Sequence, residues 1–311
     1  MLHAPVPLHI PDGFLNLAIA ILFWLLTASM IAVALSKTNK SLGEKQVPLM
    51  GVMAAFIFAA QMLNFPVAGG TSGHFLGGAL AAIVLGPWAG ILVLTAVIGV
   101  QALLFQDGGL LVMGANIFNM GVLTAVIGFG LYRTVSGRGK ITRLAVSGVA
   151  AWLSTIASAL LTALQLWLSG TSRLEIVVPA MLGVHLLIGI GEAVITVAAL
   201  AFIERTRPDL LDAEKIAASG GRGWIYVGIA VSLLAVFLSP LASASPDGLE
   251  RVAEDMGFLR LGQTAPYQIL PDYTIPFLGG TALSTIAAGA VGALVVLGLV
   301  ILLGRSLRKT R

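Results

Sequence analysis

Apolar residues fall into nine runs parted by short polar or Gly/Pro-rich breaks: roughly Phe14 to Leu35, Val47 to Leu63, Phe75 to Leu85, Trp88 to Phe105, Asn116 to Tyr132, Leu144 to Leu168, Val177 to Ile203, Trp224 to Leu238 and Phe277 to Leu303. A helix needs about 20 residues to cross a hydrocarbon core of about 30 Å, and most of these runs approach or exceed that length. The pattern predicts an all-α polytopic membrane protein, a helical bundle of about nine transmembrane helices. The third run is too short to span and is parted from the fourth by Gly86-Pro87. Proline has no N–H for the helical ladder, so the pair reads as a short half-helix, a tight turn and a full helix.

Composition excludes the soluble alternatives. Only 10% of the 311 residues are charged and 58% are hydrophobic, whereas soluble domains carry about 25% charged residues. There is no cysteine, so disulfides and thiolate ligands are ruled out. The net charge of +4 follows from topology. With the N-terminus outside and alternating spans, the inside loops hold Lys37, Lys40 and Lys45, then Arg133, Arg138, Lys140 and Arg143, then Arg205, Arg207, Lys215 and Arg222, and the tail adds Arg305, Arg308, Lys309 and Arg311. Of the 18 Lys and Arg residues, only Arg173, Arg251 and Arg260 then fall outside. Cytoplasmic loops are enriched in Lys and Arg, so an N-out/C-in orientation is expected, with no nucleic-acid partner. Met1 to Asn16 carries no Lys or Arg, which argues against a signal peptide.

Two domains are expected. Residues 1–205 hold the first seven helices, 206–223 read as a cytoplasmic linker with a Gly-rich end, and 224–311 hold two helices flanking an acidic outside loop, Ser239 to Ile275.

Polar groups at membrane depth are costly and therefore informative. His3 and His9 precede the first helix, and His74 ends the connection Asn64 to His74 on the same side. Two or three imidazoles can therefore meet at the outer face, and imidazole suits nickel, copper, zinc and cobalt. The same histidines read equally as unrelated interfacial residues. Gly69, Gly70, Gly73, Gly77 and Gly78 surround His74. They fit a backbone that loops in to line a cavity, or, for Gly77 and Gly78, close packing of helices. His185 and Glu192 lie about two turns apart on one helix face. They read as an ion or proton relay, or as structural hydrogen bonds between helices. Gln101, Asn116 and Asn119 read as interhelical hydrogen bonds or as scaffold beneath the outer site. No GxxxxGK[ST] phosphate loop is present, so any ATPase is on another chain.

Four motifs carry a resemblance. They are His9-Ile10-Pro11-Asp12-Gly13-Phe14-Leu15, the loop Gly69-Gly70-Thr71-Ser72-Gly73-His74, Gly114-Ala115-Asn116-Ile117-Phe118-Asn119-Met120-Gly121, and His185-Leu186-Leu187-Ile188-Gly189-Ile190-Gly191-Glu192-Ala193. They resemble, in order, those of CbiM/NikM proteins, the substrate-specificity components of energy-coupling-factor transporters for cobalt and nickel. Ser245-Pro246-Asp247-Gly248-Leu249-Glu250 is similar to the PDGLE domain found fused to, or encoded beside, such proteins. The resemblance implies capture of Co2+ or Ni2+ from outside, at the inner (cytoplasmic) membrane. It implies a separate transmembrane coupling subunit and cytoplasmic ATPase subunits that use ATP, with no permanently bound cofactor. It also implies a square-planar, all-nitrogen site: the terminal amine, the next residue's backbone nitrogen and imidazole, and the loop imidazole. In this chain the imidazoles are His9 and His74, with Ser72, Gly73, Asn116, Asn119, His185 and Glu192 in support.

One departure bears on the ligands. The family motif opens as Met-His-Ile-Pro, whereas Met1 to Leu8 precede His9 here. Leu8 is the true first residue, read as Met, and supplies the amine; or the extension is removed; or Met1 and His3 form their own amine-X-His site. The first restores the motif without a new assumption. Two rivals are a self-sufficient secondary transporter, which usually shows matched repeats and midplane breaks, and an intramembrane enzyme using His185 and Glu192, for which no HExxH helix exists.

Overall fold

The computed structural model describes residues 9–43, 46–211 and 223–309. Helices α1 (Leu17–Ser41), α2 (Gln46–Gln61), α3 (Gly78–Leu85), α4 (Pro87–Phe105), α5 (Met113–Arg133), α6 (Lys140–Leu168) and α7 (Leu174–Thr206) come first. Then follow α8 (Gly223–Leu238), a short α9 (Gly248–Asp255) and α10 (Ala282–Lys309).

Each of the nine apolar runs forms a helix. Seven are long and apolar enough to cross a membrane: α1, α4, α5, α6, α7, α8 with the turn that follows it, and α10. The 16-residue α2 and the 8-residue α3 are buried on nearly every side. A helix that is apolar all round belongs in a core. Here α2 lies between α4 and the C-terminal helices α8 and α10, while α3 packs on α4 and α5. The half-helix and tight turn take the expected form, with Gly86 at φ 83° and Pro87 opening α4.

The helix ends depart from the apolar runs for identifiable reasons. Phe14 and Leu15 precede α1 because Asn16 caps it, its side-chain oxygen accepting the N–H of Ile19 at 2.9 Å. Phe75 lies in irregular backbone before α3, and Pro276–Leu278 forms a separate turn before α10. Basic ends prolong other helices: α6 starts at Lys140, where Arg143 meets Glu204 of α7 at 2.6 Å and Lys140 meets it at 3.7 Å. The connection after α2 is not irregular throughout. Phe65–Val67 and Thr71–Gly73 pair as an antiparallel hairpin, β1 and β2, in the register Phe65 with Gly73, Pro66 with Ser72 and Val67 with Thr71.

Two stretches are wound wider than an α-helix, Gln101–Phe105 at the end of α4 and Phe118–Leu123 within α5. Such π-wound turns often mark functional positions, and these two carry Gln101 and Asn119.

The C-terminal helices are seated tightly. A Cβ on Gly292 of α10 would fall well inside contact distance of the Phe58 ring on α2 and the Phe105 ring at the end of α4. Gly292→Ala is therefore expected to cost about 1–3 kcal/mol through overpacking. The readout is the thermal-unfolding midpoint in detergent, and an unchanged midpoint would contradict this close approach.

Candidate functional site

The residues before α1 are threaded across the start of α5. The Asp12 carboxylate accepts three amides of the turn that leads into α5: from Leu110 (3.0 Å), Leu111 (2.9 Å) and the N-cap residue Val112 (3.2 Å). Gly109 lies so close to Asp12 that a Cβ there would overlap it. The Asn116 side chain pairs with both backbone groups of Ile10, accepting at 3.1 Å and donating at 3.0 Å. His9 is thereby drawn into the bundle, 3% exposed. Its Nδ1 lies 3.2 Å from the backbone oxygen of Asp107 and 3.5 Å from the Asp107 carboxylate. Its Nε2 is buried without a hydrogen-bond partner.

The hairpin delivers the second imidazole. The His74 and His9 rings lie edge to face, 5.5 Å between centroids at 74°. Beyond His74 the chain is held from beneath: the Glu192 carboxylate of α7 accepts from Leu76 N at 2.6 Å and Gly77 N at 3.0 Å. Gln61 of α2 donates to Leu76 O at 2.8 Å. From the other side, Ser72 donates its N–H to Pro246 O and its hydroxyl to Ser245 O, both at 2.8 Å. Asp247 begins α9 with a capping box, its carboxylate accepting from Glu250 N at 2.7 Å while its other oxygen stands 3.8 Å from His74 Nδ1.

These pieces enclose a cavity of about 60 Å³ lined by His9, His74, His185, Asn116, Asn119 and Asp247 among others. Burial, with the neighbouring His9 and His185 rings, lowers the His74 pKa to about 3. The ring is therefore a neutral donor at physiological pH. Burial raises Asp247 to about 8, against the stabilising amide of Glu250. Among the described residues, no group of three or more His, Asp or Glu side chains is arranged to hold a metal ion.

The structure brings together His9, His74, Asn116, Ser72 and Gly73 at one end of the bundle. Asn119 sits one turn deeper, donating to Thr162 (3.1 Å) and Gln165 (2.8 Å) of α6. His185 lines the cavity with its Nδ1 bonded to Met181 O of its own helix at 2.7 Å. Glu192 takes the structural role of the two considered, and it pairs with the loop rather than with His185. Gln101 is a hydrogen-bond donor, its Nε2 bonding the Tyr273 hydroxyl at 3.1 Å. Gly78 packs closely against α5, as a small residue at a helix interface does. Met1, His3 and Leu8 lie outside the described residues.

Sequence reasoning missed Asp107, Tyr273 and the position of Asp247. The Tyr273 hydroxyl donates to the Asp107 carboxylate at 2.6 Å; burial first, then that carboxylate, hold its pKa well above 10, so it stays protonated. Asp247 carried a readable signal, since an Asp three residues before Glu is a capping-box pattern. Tyr273 carried none.

The cobalt uptake substrate-specific transmembrane region family matches residues 9–210, and the PDGLE domain matches residues 222–309. The chain belongs to the cobalt-uptake substrate-specific family. It is 37% identical over 295 residues to a putative fused nickel transport protein NikMN of Archaeoglobus fulgidus, covering 94% of this chain and 96% of that protein. A cobalt transport protein CbiM of Geobacter sulfurreducens is 33% identical over 79% of this chain and 73% of its own length. A crystal structure of a truncated transition metal transporter superposes with a TM-score of 0.58 at 35% identity, covering 63% of this chain and 98% of that one. This cobalt-uptake family member is a multi-pass membrane protein of metal transport and not an enzyme.

Glu192→Ala leaves the Leu76 and Gly77 amides without their acceptor. It is expected to cost about 2–5 kcal/mol, since each buried donor left unpaired costs about 1–3 kcal/mol. Glu192→Gln keeps one carbonyl oxygen and loses less. Thermal unfolding of both variants is the check; wild-type midpoints would remove this role.

Proposed function

We propose that this protein is the substrate-binding component of an ATP-driven energy-coupling-factor transporter, capturing Co2+ or Ni2+ at an extracytoplasmic site. The observation that carries the reading is the pair His9 and His74, edge to face on one small cavity with the buried Nε2 of His9 unpartnered. The cavity, about 60 Å³, suits an ion; sites for organic ligands run to about 300–1,000 Å³. Two imidazoles suit cobalt and nickel.

Two further nitrogens come from the backbone. The His9 amide and a terminal amine at position 8 complete a plane of four; if the extension is retained, Met1 and His3 form a site of their own instead. Chelation of one ion by the His9 amide and its own ring forms a six-membered ring only through Nδ1. That nitrogen faces Asp107, so capture in this mode requires the imidazole to turn Nδ1 away from it. Ser72, Gly73, Asn116 and Asn119 hold the segments around the ion, with His185 and Glu192 behind them.

The chain has two parts in this reading, residues 1–205 as metal-binding component and 224–311 as the accessory PDGLE domain, joined by the linker 206–223. The N-terminus is outside and the basic loops are cytoplasmic, in the inner membrane. Release inside depends on a coupling subunit and ATPases on other chains. Proteoliposomes of this chain alone are expected to take up no Ni2+ until those subunits and ATP are added. Uptake by the chain alone would overturn the coupled mechanism in favour of a secondary transporter.

His74→Ala is expected to abolish high-affinity Ni2+ and Co2+ binding in calorimetry while the protein remains folded in detergent. Unchanged binding would sink the site. The ligands before His9 are tested by deletion. A variant beginning Met-His9-Ile10-Pro11 is expected to bind metal, and to lose it when the amine is acetylated. If that variant binds nothing while the full 311-residue chain binds and His3→Ala does not, the site belongs to the extension.

A further inference from the structure

His185 is the third imidazole on the cavity wall, and one bond fixes its tautomer. Its Nδ1 lies 2.7 Å from Met181 O, one turn back on α7. A carbonyl oxygen only accepts, so Nδ1 carries the proton and Nε2 the lone pair. Metal-binding histidines are held in this way, one ring nitrogen donating to a backbone carbonyl or a carboxylate and the other left to the ion. Among the described residues, nothing donates to the His185 Nε2.

The ring is also held from the C-terminal side. A Cβ on Gly248, the first residue of α9, would fall 2.8 Å from His185 Cε1 and 2.8 Å from Ile188 Cδ1. Glycine is therefore what lets α9 sit this close. The residue before it, Asp247, has a carboxylate oxygen 3.8 Å from His74 Nδ1. The start of α9 thus lies against both His185 and His74.

Two facts decide what this third imidazole does. Among the described residues, no three His, Asp or Glu side chains are arranged to hold one ion, so His185 does not join His9 and His74 around a metal in this arrangement. The His9 Nδ1, for its part, is engaged by Asp107 O at 3.2 Å, and under the proposed reading that ring must turn before it can chelate. An ion that enters before the turn needs a nitrogen already bare, and His185 Nε2 is one. A ring kept for packing alone would need no lone pair on the cavity.

We propose that His185 is a transfer ligand: its Nε2 takes the incoming Ni2+ or Co2+ first and yields it to the plane of His9 and His74 as the His9 ring turns. One water leaves the ion as the bond to Nε2 forms, and that bond breaks as His9 Nδ1 replaces it. No proton moves at His185, since Nε2 carries none. The inference rests on the reading of His9 and His74 as ligands, and it places His185 in the rate of capture and not in the final coordination.

The test uses the full chain in detergent with Ni2+ alone as probe, followed by stopped-flow tryptophan fluorescence. Trp152 donates to Leu186 O at 3.0 Å, beside His185, so its emission reports the arriving ion. His185→Asn keeps an amide donor where Nδ1 stands, for Met181 O, and removes Nε2. It is expected to slow association and dissociation by the same factor, about tenfold, because only a passing state is lost. The visible d–d absorption of the bound ion is expected to stay in place. His185→Leu, which fills the space under α9 without any nitrogen, is expected to give the same rates. Wild-type rates in either variant would overturn the inference. So would a shifted band or a faster dissociation, which would make His185 a permanent ligand. His74→Ala in parallel separates the two layers. If it binds Ni2+ normally, the ligand reading and this inference fall together; if it binds nothing while His185→Asn keeps wild-type rates, only the inference falls.

Discussion

The arrangement depends first on a carboxylate at the start of a helix. Three amides in the turn that leads into α5 need an acceptor, and Asp12 supplies it from a segment nearly a hundred residues earlier. The positive end of the helix dipole favours the same negative charge. With Asp12 fixed, Ile10 falls against Asn116 and His9 against Asp107. Glu192 does the corresponding work for the hairpin, holding two amides immediately after His74. Each histidine is thus positioned by backbone hydrogen bonds to a neighbouring residue.

The C-terminal part closes this arrangement from two directions. Ser245 and Pro246 pair with Ser72 above the hairpin, and Asp247 faces His74 across the α9 cap. Tyr273 enters from below, through Asp107. Helices α8 and α10 anchor both approaches by packing on α2, so the acidic loop between them is spanned over the site and not left to hang in solvent.

The helices were legible because run length and apolarity are local properties. So were the half-helix and the Gly86-Pro87 turn, where two residue types with opposite backbone restrictions stand side by side. The burial of α2 and α3 was less legible: they are as apolar as the rest, and only the structure shows that they are covered on nearly every side. His9, His74, Asn116 and Asn119 came from motifs, and the structure gathers them. The hairpin strands are three residues each, too short for alternation to register. Asp107 and Tyr273 were illegible for a different reason. Their meaning lies in one hydrogen bond across |i−j| = 166, and no local pattern encodes such a pairing.

The same bonds bear on which ions the cavity can accept. Calcium takes six to eight oxygen ligands and magnesium a near-octahedral oxygen shell. Asp247 lines the cavity and Asp107 lies beside His9, and each is already engaged: Asp247 caps the amide of Glu250, and Asp107 accepts from Tyr273. Neither can swing inward without abandoning a buried donor, a loss of about 1–3 kcal/mol. Three imidazoles, of His9, His74 and His185, share the cavity lining. Under the proposed reading, the carboxylates compensate the charge of a divalent ion from a short distance, which an ion in a low-dielectric site requires, while leaving the donor set to nitrogen. Selectivity against the abundant oxygen-seeking cations then follows from where the carboxylates are tied, and the tyrosine and the helix cap that tie them both come from the C-terminal domain.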